Sequence, residues 1–155
     1  MLAFQKLWNR NHPNDLIAED GPPPEPVDVP NDSPALIMYT SGTTGQPKGV
    51  MLPHRALTNL LAVIGAEFPV DGEDVILQKT PYSFDISVSE IFNPLAFGAR
   101  LVMPPAGAER SPRLLRDAIE EHGVTVLRMT PTELSSLLGV EGVERCSSVR
   151  RVLSC

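Results

Sequence analysis

From Ala35 onward the chain alternates short apolar runs with segments whose apolar residues recur at helical spacing, and few architectures accommodate that order. Ala35 to Tyr39 reads as a buried strand, and Gly49 to Leu52 as a second one. Leu57, Leu60, Leu61 and Ile64 then fall on one face of a helix. Asp74 to Leu77 is a further strand. Ser111 and Pro112 make an N-cap and first-turn proline, Leu114, Leu115, Ala118 and Ile119 line the buried face, and Gly123 is the stop. Val124 to Leu127 and Val149 to Leu153 are strands on either side of another helix, which Thr130 and Glu133 start as a capping box with Pro131 in the first turn. The expected fold is α/β, layered, with a mostly parallel sheet and flanking helices. No internal repeat is evident.

A chain of 155 residues is one compact domain's worth. Residues 1–20 form an N-terminal segment that a short helix would fit. Residues 21–34 hold six prolines (Pro22, Pro23, Pro24, Pro26, Pro30, Pro34) with Glu25, Asp28 and Asp32, the composition of an extended acidic linker. Residues 35–155 are the folded part. A formal charge of −6 argues against a nucleic-acid or anionic-membrane partner, because both reward a basic surface. Polar residues interrupt Leu2, Phe4, Leu7 and Trp8, so the start is no signal peptide, and nothing later approaches a membrane span. A cytoplasmic location is expected. Cys146 and Cys155 have neither CxxC nor His spacing, so both are expected to be reduced, with no disulfide framework and no zinc site.

Between the first two strands lies Tyr39-Thr40-Ser41-Gly42-Thr43-Thr44-Gly45-Gln46-Pro47-Lys48-Gly49. Its glycines let backbone N–H groups approach an anion with no Cβ in the way, and Thr40, Ser41, Thr43 and Thr44 add hydroxyl donors. Lys48 adds a full positive charge. A plain turn needs one or two special residues rather than this concentration. The strict P-loop spacing is not met, since four residues after Gly42 lead to Pro47, and Gly49 follows Lys48. An ordinary P-loop GTPase or kinase is disfavoured, and a nucleotide triphosphate remains the indicated ligand.

A second segment, Ser83-Phe84-Asp85-Ile86-Ser87-Val88-Ser89-Glu90, sets an acidic residue after an aromatic one just ahead of a helix. Ser87 and Glu90 have capping-box spacing, which gives Glu90 a structural task. Asp85 lies outside that box. Two readings stand for it on the residues alone: a carboxylate pointing into a cavity, or an acidic residue satisfied by the helix dipole.

The loop resembles the phosphate-loop motif of adenylate-forming enzymes, the superfamily of acyl-CoA synthetases, luciferases and nonribosomal peptide synthetase adenylation domains. The resemblance runs on through Val50 to Leu57, where the family pattern likewise has a histidine and a helix. His54 can be a ligand contact or a surface residue at the helix start. The segment from Phe84 to Val88 is similar to the next motif of the amino-acid-adenylating members, in which the aspartate after phenylalanine pairs with the substrate's α-ammonium group. That pairing is physically apt, because a zwitterion entering a partly desolvated pocket needs its cation compensated. Fatty acids carry no such cation, so Asp85 favours a peptide synthetase over lipid activation. By the same similarity Ile86, Ser89 and Arg128 match side-chain-pocket positions. An arginine facing the pocket would hold a substrate carboxylate bidentately, which makes an acidic amino acid a candidate; the alternatives for Arg128 are a pairing with Asp85 or a reach to solvent.

The resemblance implies activation of a carboxylate by ATP with Mg²⁺, giving an aminoacyl-adenylate and pyrophosphate, then transfer to the phosphopantetheine thiol of a peptidyl carrier domain. Alignment and charge stabilisation are the protein's task, with Ser41, Thr43, Thr44, Lys48 and the backbone around Gly42 and Gly45 on the β- and γ-phosphates. No catalytic side chain and no metal ligand is assigned. Members of the family continue past the position of Cys155 into adenine-, Mg²⁺- and ribose-binding motifs and a mobile subdomain with a catalytic lysine. The expectation is therefore a partial adenylation domain that is inactive alone. Three alternatives stand beside it: an acyl-CoA synthetase-like piece, a truncated product, and a non-catalytic nucleotide-binding module complemented by a second chain.

Overall fold

The computed structural model describes residues 27–41 and 46–154. The N-terminal segment, the first part of the expected linker, Gly42, Thr43, Thr44, Gly45 and Cys155 lie outside the described residues. Strands β1 (Pro34–Thr40) and β2 (Lys48–Pro53) form an antiparallel pair, followed by α1 (His54–Glu67). Then come β3 (Val75–Leu77), α2 (Ile86–Phe97), β4 (Arg100–Val102), α3 (Pro112–His122), β5 (Val126–Met129), α4 (Pro131–Leu138) and β6 (Arg151–Ser154). Strands β3 to β6 make one parallel sheet in the order β4-β3-β5-β6. The α/β expectation holds, with β4 as a strand that the sequence pattern does not single out.

Period two decides which side chain meets which layer. Val75 and Leu77 of β3 join Leu127 and Met129 of β5 in the main core, packed with Leu115, Ala118 and Ile119 of α3 and Leu137 of α4. Ile76 and Val126 point the other way, into a small cluster with Val70. Crossovers between parallel strands are right-handed. The path β3 to β4 runs opposite to β4 to β5 and β5 to β6, so α2 covers the Ile76 and Val126 face while α3 and α4 cover the main core. The reversal lies between β3 and β5. Crevices outside the carboxyl ends of strands at such a point are where open α/β sheets place ligands.

Helix ends follow their local chemistry. Ser111 accepts from the Leu114 N–H, Pro112 occupies the first turn, and Gly123 takes φ +63 at the stop. Thr130 and Glu133 form the reciprocal capping box. Leu114, however, is 39% exposed, because the buried stripe of α3 is set by Leu115, Ala118 and Ile119, and Leu114 stands one position off it.

The hairpin departs further from expectation. Its pattern predicts buried strands, yet Ile37, Tyr39 and Met51 are all more than half exposed. Among the described residues its two strands pair only with each other and lean on α1, no residue of which is buried. Alternating apolar residues on an isolated pair leave one row uncovered whichever way it leans.

At the amino end of the sheet, Asp74 ties three strands together. Its carboxylate, 2% exposed, accepts from Thr125 Oγ1 at 2.8 Å and Arg150 at 3.0 Å and pairs with Arg151. Burial pushes this carboxyl up, but bonds to Thr125, Arg151 and the Asp71 N–H outweigh it and hold it below its ordinary value.

Candidate functional site

In the sequence the phosphate-type loop lies between β1 and β2. Thr40 and Lys48 are cross-strand partners and form the last pair of the stem. Thr40, Ser41 and Lys48 are exposed at this mouth. Tyr39 faces Gly49 across the strands, and a Cβ at Gly49 would come within 3.2 Å of Ile37 Cγ2 and 3.4 Å of the Tyr39 ring. The glycine after the lysine thus leaves room for the Tyr39 ring and Ile37 side chain on this face of the stem. Gly42, Thr43, Thr44 and Gly45 lie outside the described residues. His54 is half-buried at the first position of α1, where its N–H donates to the Ser33 carbonyl at 3.0 Å.

Asp85 occupies the N-cap position of α2 with an exposed side chain that makes no capping hydrogen bond. It lines a cavity of about 420 Å³ with Leu36 and Met38 of β1, Leu57 and Leu60 of α1, and Val88. The structure therefore brings Asp85 and the loop's stem to one apolar cleft, with the carboxylate as its charged wall.

The Ser87 and Glu90 capping box does not form. The helix begins before Ser87, whose Oγ donates instead to the Phe84 carbonyl at 2.6 Å. Glu90 is fully buried and reaches across to the end of β3, accepting from the Lys79 N–H at 3.2 Å, the Thr80 N–H at 2.9 Å and Thr80 Oγ1 at 2.8 Å. Burial raises its carboxyl above the ordinary range, and those bonds return only part of the shift. The spacing suits a box, but tertiary donors outcompete the local one.

The remaining positions divide. Ile86 is half-buried in the first turn of α2. Ser89 is 3% exposed, and its hydroxyl is engaged with the Ile86 carbonyl at 2.8 Å. Phe84 is 60% exposed, at the turn leading into the helix. Arg128, half-buried on β5, shares its strand face with Val126, which packs with Ile76 and Val70.

Sequence reasoning misses Lys79. Its side chain is 4% exposed and its ammonium lies 2.9 Å from Glu133 Oε1, joining the carboxyl end of β3 to the start of α4 across the reversal point. Burial pushes the Glu133 carboxyl up, but bonds to Lys79 and to the Thr130 N–H prevail and hold it low. A usable signal is present in Gln78-Lys79-Thr80, three polar residues directly after an apolar strand.

The chain is similar to several known proteins. Over 104 residues the chain is 46% identical to vanchrobactin synthetase VabF of Vibrio anguillarum, a match covering 67% of this chain and 4% of that protein. Over 123 residues it is 42% identical to indigoidine synthase of Streptomyces lavendulae, covering 79% of this chain and 10% of that protein. Among solved structures, the nonribosomal peptide synthetase FmoA3 in its AMPPNP-bound form superimposes with a TM-score of 0.72 at 32% identity, covering 81% of this chain and 14% of that one. The Vibrio cholerae adenylation domain AlmE, in complex with glycyl-adenosine-5'-phosphate, gives 0.63 at 34% identity, covering 70% and 20%. This chain thus spans a small part of each of these proteins. The family model described as AMP-binding enzyme matches residues 3–155, and the chain belongs to that family.

Proposed function

We propose that this chain supplies the phosphate-gripping and amine-recognising parts of an amino-acid-activating, AMP-forming adenylation domain. The observation that carries the reading is Asp85, an exposed carboxylate with no capping bond, on the wall of the cleft it shares with the stem of the phosphate loop. A carboxylate so placed suits an ammonium group, and the apolar lining strengthens the attraction by lowering the local dielectric.

The loop's mouth fits a triphosphate. Thr40 and Ser41 offer hydroxyls and Lys48 an ammonium, a set rich in donors at the end of a fixed stem. Thr43, Thr44 and the backbone of Gly42 and Gly45 complete the set in this reading. Their work is to hold the β- and γ-phosphates while a substrate carboxylate attacks the α-phosphorus and pyrophosphate leaves. Mg²⁺ would accompany the triphosphate and offset its charge. Among the described residues no three His, Cys, Asp or Glu side chains converge as a metal site, so no ligand to it is assigned.

Ile86 and Ser89 border the substrate in this reading, and Arg128, on the sheet face beneath α2, selects an acidic side chain. Phe84 and His54 flank the site. The adenylate's acceptor is a phosphopantetheine thiol on a carrier domain, in the cytoplasm. Among the described residues no helix is long and apolar enough to cross a membrane.

Calorimetric titration of the purified chain with L-aspartate and with succinate, in the presence of ATP, tests the amine assignment. Tighter binding of the amino acid, with the preference abolished in Asp85→Asn, supports it. Equal binding of both acids by the unsubstituted chain would favour a carboxylic-acid-activating relative instead.

A further inference from the structure

Asp85 sits at the far side of a short segment that leaves β3 at Leu77 and enters α2 at Ile86. Its side chain makes no capping hydrogen bond that would fix it, although its carbonyl accepts the Val88 N–H at 3.0 Å. What closes the segment is Glu90. From within α2 its carboxylate binds the Lys79 N–H, the Thr80 N–H and Thr80 Oγ1, all within 3.2 Å, and so draws the end of β3 onto the helix five residues beyond Asp85. The ring closed in this way contains two successive turns, the Phe84 N–H donating to the Pro81 carbonyl and the Ser87 N–H to the Phe84 carbonyl. Lys79, held by Glu133, anchors the same strand end to α4.

We propose that Glu90 is the positioning residue for Asp85, fixing the turn that presents its carboxylate to a substrate ammonium. Burying a carboxylate completely is costly, and capping a helix does not require it. Three donors converging from the strand end explain both its burial and its reach. A glutamine at this place keeps the shape but replaces one acceptor oxygen with an NH₂, which cannot serve all three donors. The proposal rests on the amine role assigned to Asp85, and its test separates the two.

Amide hydrogen exchange followed by NMR on the full chain reads the clamp without any ligand. In Glu90→Gln the amides of Lys79, Thr80, Phe84 and Ser87 are expected to exchange about tenfold faster or more, as loss of a buried hydrogen bond implies. Thr125 and Val124, whose N–H groups bond Val75 and Ile119 elsewhere in the sheet layer, are expected to keep their protection. Thr80→Val, which removes one of the three bonds and retains the volume, is expected to act in the same direction with a smaller change. Unchanged exchange at Phe84 and Ser87, or an equal rise at Thr125 and Val124 in both variants, would overturn the proposal. The second arm is the ratio of L-aspartate to succinate affinity, expected to fall in Glu90→Gln with succinate binding unchanged. A loss of both affinities alike would show a general structural role and overturn it. A turn that loosens as expected in a chain showing no amine preference before substitution would retain the clamp and remove the amine role.

Discussion

At the scale of single residues, three buried or half-buried carboxylates divide by the donors they meet. Asp74 and Glu133 are held below their ordinary values, so their stabilising effect is complete above the usual carboxylate pKa of about 4 and disappears as the pH falls through the lower folded values. Glu90 is raised, and the sign reverses. Its contribution is complete below the ordinary value and is lost as the pH rises through the raised one. Asp74→Asn should cost about 1–3 kcal/mol near neutrality, because it leaves Arg150, Arg151 and Thr125 with a weaker acceptor. Urea unfolding at pH 7 and pH 3 checks this. The gap between parent and variant should narrow at the lower pH, and a constant gap would mean that packing rather than charge is responsible.

At the scale of elements, the join between α1 and α2 depends on a glycine. A Cβ at Gly65 would stand 2.8 Å from Phe97 Cε2 and closer still to Cζ, so the ring of α2 lies directly on the α1 backbone. Gly65→Ala should destabilise by about 1–3 kcal/mol through overpacking, despite alanine's better helix propensity. Adding Phe97→Leu should recover part of that loss, and strict additivity in a double-mutant cycle would contradict the contact. Thr130→Ala, which removes the capping hydroxyl of α4, should cost about 1 kcal/mol in a denaturant midpoint.

Element ends are the part most legible in the sequence, because Ser111, Pro112, Gly123, Thr130 and Glu133 act on backbone groups within a turn of themselves. What depends on distant partners is not. Ser87 and Glu90 have the spacing of a box, and only the fold shows that Lys79 and Thr80 bring stronger donors to the same carboxylate. The hairpin's apolar residues look the same whether covered or bare, so its exposure cannot be read from pattern alone. Lys79 escapes notice because a lysine after a strand is ordinarily solvated. Asp85 stands out in its motif, but its cleft is assembled from four separate elements, β1, β2, α1 and α2, and needs the fold to be seen.

At the scale of the whole molecule, the packing is uneven. The sheet, α3 and α4 hold the main core, with Ile119 and Val124 fully buried, whereas β1, β2 and α1 carry exposed Ile37, Met51 and Val63. Ile119→Ala should therefore cost about 2–5 kcal/mol. Met51→Ser should change stability by no more than about 0.5 kcal/mol. Comparable losses for the two in thermal unfolding would contradict this division.

The central claim is that the loop between β1 and β2 grips a nucleotide's phosphates, and calorimetric titration of the purified chain with Mg-ATP tests it most directly. Saturable binding that weakens about tenfold or more in Lys48→Ala, as loss of a charge-assisted contact implies, is the expected result. Binding that is absent, or that is as tight in Lys48→Ala as in the parent chain, would contradict it.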